Sequence, residues 1–248
     1  YSAGAQRNNA VYNFQDIIAV SSGMKLVKSE ARTAAASPAN VLITGESGTG
    51  KELFAQAIHN ASPRFAGPFV PISCGGFSRE TVDSILIGTE KNPGKFIQAD
   101  GGTLFLDGIS EMSQDMQSFL LRFLEDGIVT PIGSRRSVQT DVRVISAAGS
   151  EVLQKVKDGS FRLDLYYRLN VLRIDLPPLR ERQADMQELS NYFVTLLSAG
   201  YGKNIFSVSA ETVERFKANY WPGNLRQLRN IIERSLLKAE DGRELEIS

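Results

Sequence analysis

Short, largely apolar runs recur through the first two thirds of the chain: Val41–Thr44, Phe69–Ile72, Thr103–Asp107, Val142–Ala147 and Val171–Leu176. Runs of this length, rich in β-branched residues and bounded by glycine, proline or polar clusters, predict buried strands. Between them apolar positions fall at helical spacing. Tyr12–Ala36 has this rhythm, interrupted by a turn at Ser21-Ser22-Gly23 and ended by Ser37-Pro38, and so do Glu52–Asn60 and Met112–Asp126. Strands alternating with helices predict a parallel sheet covered on both faces. After Pro177-Pro178 the rhythm changes. Glu181–Leu197, Ser209–Ala218 and Asn224–Ala239 all read as helices, and no strand signal is left. The expected organisation is a disordered linker over residues 1–11, an α/β subdomain over 12–177 and a small all-helical subdomain over 178–248.

Composition narrows the function classes. Lys and Arg total 28 and so do Asp and Glu, for a formal net charge of zero. A basic footprint for unaided nucleic-acid binding is therefore absent from this segment. Cys74 and His59 are the sole residues of their types. An intramolecular disulfide is impossible, and a zinc site of Cys and His ligands is close to impossible with one residue of each. No apolar run approaches the ~20 residues that span a bilayer, and Tyr1–Asn9 lacks a signal-peptide apolar segment. A cytoplasmic location without membrane contact is expected. Tyr1–Asn9 and the stop at Ser248 are expected to be cuts from a longer chain.

Gly45-Glu46-Ser47-Gly48-Thr49-Gly50-Lys51 matches the pattern G-x-x-x-x-G-K, with an apolar strand before it and a helix after. Glycines in such a loop let backbone N–H groups turn inward around phosphate oxygens, and the helix N-terminus adds its partial positive charge. Lys51 would reach the β and γ phosphates. Glu52 stands where Ser or Thr often helps hold magnesium. Leu104-Phe105-Leu106-Asp107 supplies the second half of the device: an apolar strand ending in a carboxylate that can hold Mg2+.

With these two motifs the chain resembles the central AAA+ domain of bacterial enhancer-binding transcription activators, which work with sigma-54. The segments carrying the resemblance are GESGTGKELFAQAIHN (45–60), GGTLFLD (101–107), FRLDLYYRLNV (161–171), LPPLRER (176–182) and WPGNLRQLRN (221–230), in the family's order. Glu52 after the lysine is normal in that family. The resemblance implies a P-loop NTPase fold with a helical lid, binding ATP and Mg2+ and assembling into a ring, commonly a hexamer. It implies that Arg162 and Arg168 are arginine fingers reaching a neighbour's γ-phosphate, and that Arg226 is the second sensor. It further implies action on RNA polymerase holoenzyme, with promoter DNA bound by another segment.

Four departures qualify that picture. The family places a Glu after the strand-end Asp to polarise the attacking water; here Gly108 stands there. Loss of a positioned general base typically costs on the order of 10²–10⁴-fold in rate. Ser73 replaces an Asn that couples this Glu to nucleotide, and Ala148-Gly149 replaces a Thr-Asn pair that senses the γ-phosphate. Lastly, the GAFTGA loop that touches sigma-54 is missing. Gly88-Thr89-Glu90 leads through Lys91-Asn92 straight to Pro93-Gly94. We read these changes as natural divergence. Members of the family that lack the same loop work with the housekeeping sigma factor, among them regulators responsive to dihydroxyacetone metabolism or cyclic di-GMP.

The leading reading is therefore a regulator domain that binds ATP, hydrolyses it weakly or not at all, and uses it to control assembly. A working motor with Glu111 as substitute acid, and a cyclic-dinucleotide sensor, are the alternatives. Among other residues, Cys74 is expected to be buried and structural, and His59 to be a polar surface or capping residue. Trp221 is expected to pack the helical subdomain, with Asn224 as the N-cap of its last helix. Arg135-Arg136 is expected in a loop, in a region that faces the ring pore in the family.

Overall fold

The computed structural model describes residues 9–75, 82–239 and 244–245. Most of the expected linker, residues 1–8, lies outside that range. The chain divides into two compact units. One comprises residues 1–16, 30–44 and 51–175; the other comprises residues 17–29, 45–50 and 176–248.

The first unit is built on five parallel strands: β1 (Val41–Thr44), β2 (Phe69–Ser73), β3 (Thr103–Asp107), β6 (Arg143–Ala148) and β7 (Leu172–Asp175), in the order β2-β3-β6-β1-β7. The central strands β1 and β6 are buried along their whole length, which is why they read as continuous apolar runs. Pro71 sits in β2, where an edge strand tolerates the missing N–H. Register aligns Ser73 with Asp107 and Asp107 with Ala147, so the carboxyl ends of β2, β3 and β6 lie side by side. In open parallel sheets that end is where ligands bind.

Helices α2 (Lys51–Asn60), α3 (Lys95–Gln98), α4 (Gln114–Asp126), α5 (Val152–Lys157) and α6 (Leu163–Leu169) belong to this unit. Helix α4 starts two residues later than its apolar pattern, because Ser113 caps it by accepting from the Met116 N–H. It ends at Gly127 in the left-handed conformation. Leu42, Leu104, Leu106, Phe96, Phe123 and Phe161 anchor one apolar cluster. Arg143 is buried and donates to the carbonyls of Ala34 (2.6 Å), Ala35 (3.3 Å) and Ala39 (3.2 Å). It thereby satisfies the end of helix α1 (Ser22–Ala36), whose last carbonyls have no intrahelical partner. A two-stranded antiparallel ribbon, β4 (Ile128–Val129) with β5 (Val138–Gln139), has no counterpart in the sequence reading, being too short to leave a period. At the start of the chain Ala10–Tyr12 are held rather than free: Gln56 accepts from the Val11 N–H (2.9 Å), and the Asn60 amide donates to the Tyr12 carbonyl (2.8 Å).

The second unit packs α7 (Met186–Gly200), α8 (Ala210–Lys217) and α9 (Asn224–Lys238) around Leu179, Val194, Phe216, Trp221, Leu228 and Ile232. Helix α7 begins five residues later than expected, after two short 3-10 turns at Leu179–Glu181 and Gln183–Asp185. The cause is Asp185, which is fully buried and accepts from the Val20 and Ser21 N–H groups (2.7 and 2.6 Å). Trp221 packs edge-on against Phe216 and donates Nε1–H to the Phe216 carbonyl (2.6 Å), as its packing role requires.

Candidate functional site

The phosphate-loop pattern folds as its glycines dictate. Gly48 has φ +79, and a side chain there would run into the Gly223 carbonyl, so no other residue fits. Glu46, Ser47 and Gly48 meet the start of α9, all within the second unit. Arg226 Nη1 donates to Ser47 Oγ (3.2 Å), which brings the expected second sensor to the loop. Glu46 accepts two hydrogen bonds from Arg180 (2.9 and 2.6 Å) and one from Asn224 Nδ2 (3.1 Å). The Arg180 and Asn224 donors hold the Glu46 carboxyl below its usual range. Thr49 is buried, its hydroxyl donating back to the Glu46 carbonyl (2.9 Å). Gly45 and Gly50 bracket the loop with positive φ.

Asn224 is not the N-cap expected of it. Gly223 occupies that position, and Asn224 is fully buried with φ +47. Its side-chain oxygen accepts from the Leu179 N–H (2.7 Å) and its amide turns to the phosphate loop. A short polar residue that tolerates the left-handed conformation suits this place.

In the first unit Lys51 opens α2, Glu52 accepts from Gln56 Nε2 (3.2 Å), and Asp107 closes β3 with its side chain exposed. Gly108 follows in the left-handed conformation, φ +72. Around it lie two carboxylates whose placement the sequence did not reveal. The Glu111 carboxylate covers the space where a side chain on Gly75 would stand, and it comes within 4.0 Å of where a Cβ on Gly108 would lie. The Glu151 carboxylate covers the corresponding space on Gly149 and accepts from the Ser110 hydroxyl (2.6 Å). Burial works to raise the Glu151 pKa, but the Ser110 hydrogen bond and the charges of Lys155 and Lys51 outweigh it, leaving the net shift downward. Gly75 and Gly149 are thus each overhung by an acid, Glu111 and Glu151, and the Glu111 carboxylate also lies beside Gly108.

Arg162 sits at the N-cap of α6 and Arg168 in its last turn. Arg162 forms a bidentate pair with Asp164 (2.8 Å closest), and Arg168 pairs with Glu125 (3.0 Å); all four are about half exposed. On the same helix and just beyond it, Leu163, Tyr167 and Val171 are exposed at a spacing of four. Gly88 and Pro93 pair across a tight turn, closed by the Thr89 N–H on the Asn92 carbonyl (2.9 Å). Arg135 and Arg136 lie in the exposed connection between β4 and β5.

Two residues outside the site also stand clear. Cys74 is buried as expected, and burial, with help from Asp107 and Glu111, pushes its thiol up. His59 corrects the expectation of a surface residue. It is fully buried, shares a hydrogen bond with Thr103 Oγ1 (2.8 Å) and lies against Phe69. Burial, together with the Arg143 charge, brings its pKa down to about 4. Nothing in its helical spacing separated an inward-facing histidine from an outward one. No group of three or more His, Cys, Asp or Glu side chains that could hold a metal occurs among the described residues. No helix among them is long and apolar enough to cross a membrane.

Comparisons with known proteins agree with this architecture. The model of the sigma-54 interaction domain matches residues 17–175, and that of the AAA+ ATPase lid domain matches residues 180–248. A signal-transduction and transcriptional-control protein of Clostridium beijerinckii is 45% identical over 234 residues, covering 90% of this chain and 37% of the relative. Regulatory protein LuxO of Vibrio cholerae is 41% identical over 247 residues, covering 96% of this chain and 54% of the relative. The transcriptional regulatory protein TyrR of Salmonella typhimurium is 45% identical over 229 residues, covering 92% and 45%. The chain thus spans about half the length, or less, of these curated relatives. A crystal structure of NtrX from Brucella abortus in complex with ATP superposes with a TM-score of 0.86 at 31% identity, covering 93% of this chain and 55% of that one. The chain belongs to the sigma-54 interaction domain family, with the AAA+ fold and its ATPase lid domain in succession.

Proposed function

We propose that this chain is the ATP-binding central domain of a bacterial transcription regulator in which nucleotide holds an assembly together and is hydrolysed weakly or not at all. The observation that carries the reading is the division of its side chains. The groups that would grip a triphosphate are retained: the loop Gly45–Gly50, Lys51, Asp107 and Arg226. The position that would activate water is Gly108, with no side chain. ATP and ADP complexes of the structural relative NtrX support nucleotide binding. Asp107, exposed at its strand end, suits a magnesium ion shared with phosphate oxygens, since such ions need one or two carboxylates rather than a protein cage.

The chemistry divides accordingly. Loop N–H groups and the α2 N-terminus would bind the phosphate oxygens, and Lys51 would neutralise them. Arg162 and Arg168, exposed beside an apolar stripe, would complete the charge around the γ-phosphate of a neighbouring copy and bind ATP across a self-association interface. Nucleotide bound only by the assembled form stabilises assembly by mass action. With the tight turn at Gly88–Pro93 in place of a projecting loop, remodelling of sigma-54 is not assigned to this chain. Action on RNA polymerase holoenzyme and promoter DNA would run through segments outside it.

A second reading rests on Glu111, whose carboxylate approaches the space vacated at Gly108. There it could take a proton from water and sustain turnover. Glu111→Gln separates the two readings. Under the first, any residual phosphate release is unchanged. Under the second it falls on the order of 10²-fold, the cost of losing a general base.

A further inference from the structure

The motif LPPLRER plays no part in the reading above. In the second unit it wraps the outside of the phosphate loop together with the start of α9. Four successive loop carbonyls are engaged: Glu46 by the Thr49 hydroxyl (2.9 Å), Ser47 by Asn224 Nδ2 (3.0 Å), Gly48 by the Leu225 N–H (2.9 Å) and Thr49 by Arg182 Nη2 (3.3 Å). A trans peptide points its carbonyl and its N–H in opposite directions. Holding the Ser47 and Thr49 carbonyls on the outer side turns the Gly48 and Gly50 N–H groups the other way, the shape an anion cradle needs, while the Thr49 N–H closes a turn onto the Glu46 carbonyl (3.4 Å). The Glu46 side chain adds a clamp through its bidentate pair with Arg180, whose guanidinium also lies 4.5 Å over the Tyr220 ring. Arg182 and Asn224 are both buried, so they act on the loop and not on solvent.

We propose that Arg180, Arg182 and Asn224 are positioning residues that mould the phosphate loop from its outer side, so that nucleotide affinity depends on side chains facing away from the nucleotide. This rests on the nucleotide-binding reading above. It goes beyond that reading by assigning preorganisation of the cradle to the LPPLRER motif and to Asn224. A loop held in its bound shape loses less freedom on binding, and that saving appears as affinity.

The test uses the whole 248-residue chain, with Arg180→Met, Arg180→Glu, Asn224→Gly and the exchange E46R/R180E. Asn224→Gly keeps the left-handed backbone accessible while removing the amide donor. ATP affinity is read by calorimetry, and amide exchange of residues 45–50 by mass spectrometry without nucleotide. Each single variant is expected to keep the wild-type circular dichroism spectrum, lose roughly tenfold in ATP affinity and speed loop exchange by a similar factor. The exchange variant is expected to bind more tightly than Arg180→Glu alone. If Arg180→Met fails to fold, Asn224→Gly decides. Folded variants with wild-type affinity and wild-type loop exchange would overturn the mould, as would a lowered melting temperature with both readouts unchanged. Absence of ATP uptake by the wild type would sink the nucleotide reading instead, and loop exchange would still judge the mould.

Discussion

His59 shows how one residue ties burial to pH. Its folded pKa, about 4, lies below its ordinary 6.5 because the charged form would be desolvated beside Arg143. The unfolded chain therefore binds the proton more readily. Stability from this residue is complete above pH 6.5 and is lost as pH falls toward 4. The total is on the order of 3 kcal/mol. Because His59 is the sole histidine, urea unfolding between pH 7 and pH 5 isolates it. The wild type is expected to lose stability over that interval, and His59→Phe to flatten the profile. An unchanged slope in the variant would show that the imidazole is not what is titrating.

At the scale of elements, the buried guanidinium of Arg143 links β6 to the end of α1 through three carbonyls. Arg143→Met removes the guanidinium donors to those carbonyls and is expected to cost about 2–4 kcal/mol, read as a lowered urea midpoint. The five parallel strands and the helices α2, α4, α7, α8 and α9 were legible in the sequence because burial on both faces, or on one stripe, leaves a strong period. The phosphate loop was legible because its chemistry fixes glycine spacing. Other features left no such mark. The β4–β5 ribbon and helices α3, α5 and α6 are too short for a period to emerge. Asn224 reads like an N-cap because the same small polar residue serves caps and left-handed turns alike, and only the fold shows that its amide faces the loop. Glu111 and Glu151 overhang glycines through tertiary placement, which spacing along the chain cannot encode.

For the whole molecule, the exposed stripe Leu163, Tyr167 and Val171 beside Arg162 and Arg168 is where self-association is expected. Tyr167→Glu sets a charge in that stripe and is expected to lower the ATP-dependent shift to larger species in analytical ultracentrifugation by tenfold or more in protein concentration, a ~1.4 kcal/mol effect. An unaltered shift would move the interface elsewhere. The central claim is that this domain keeps the means to hold a triphosphate and has lost the means to cut it. It is tested most directly on one preparation, by calorimetric ATP binding alongside steady-state phosphate release at saturating ATP. Firm binding with release at least 10²-fold slower than that of a family member bearing the acid after its strand-end Asp is the expected result. Release at that member's rate would contradict it.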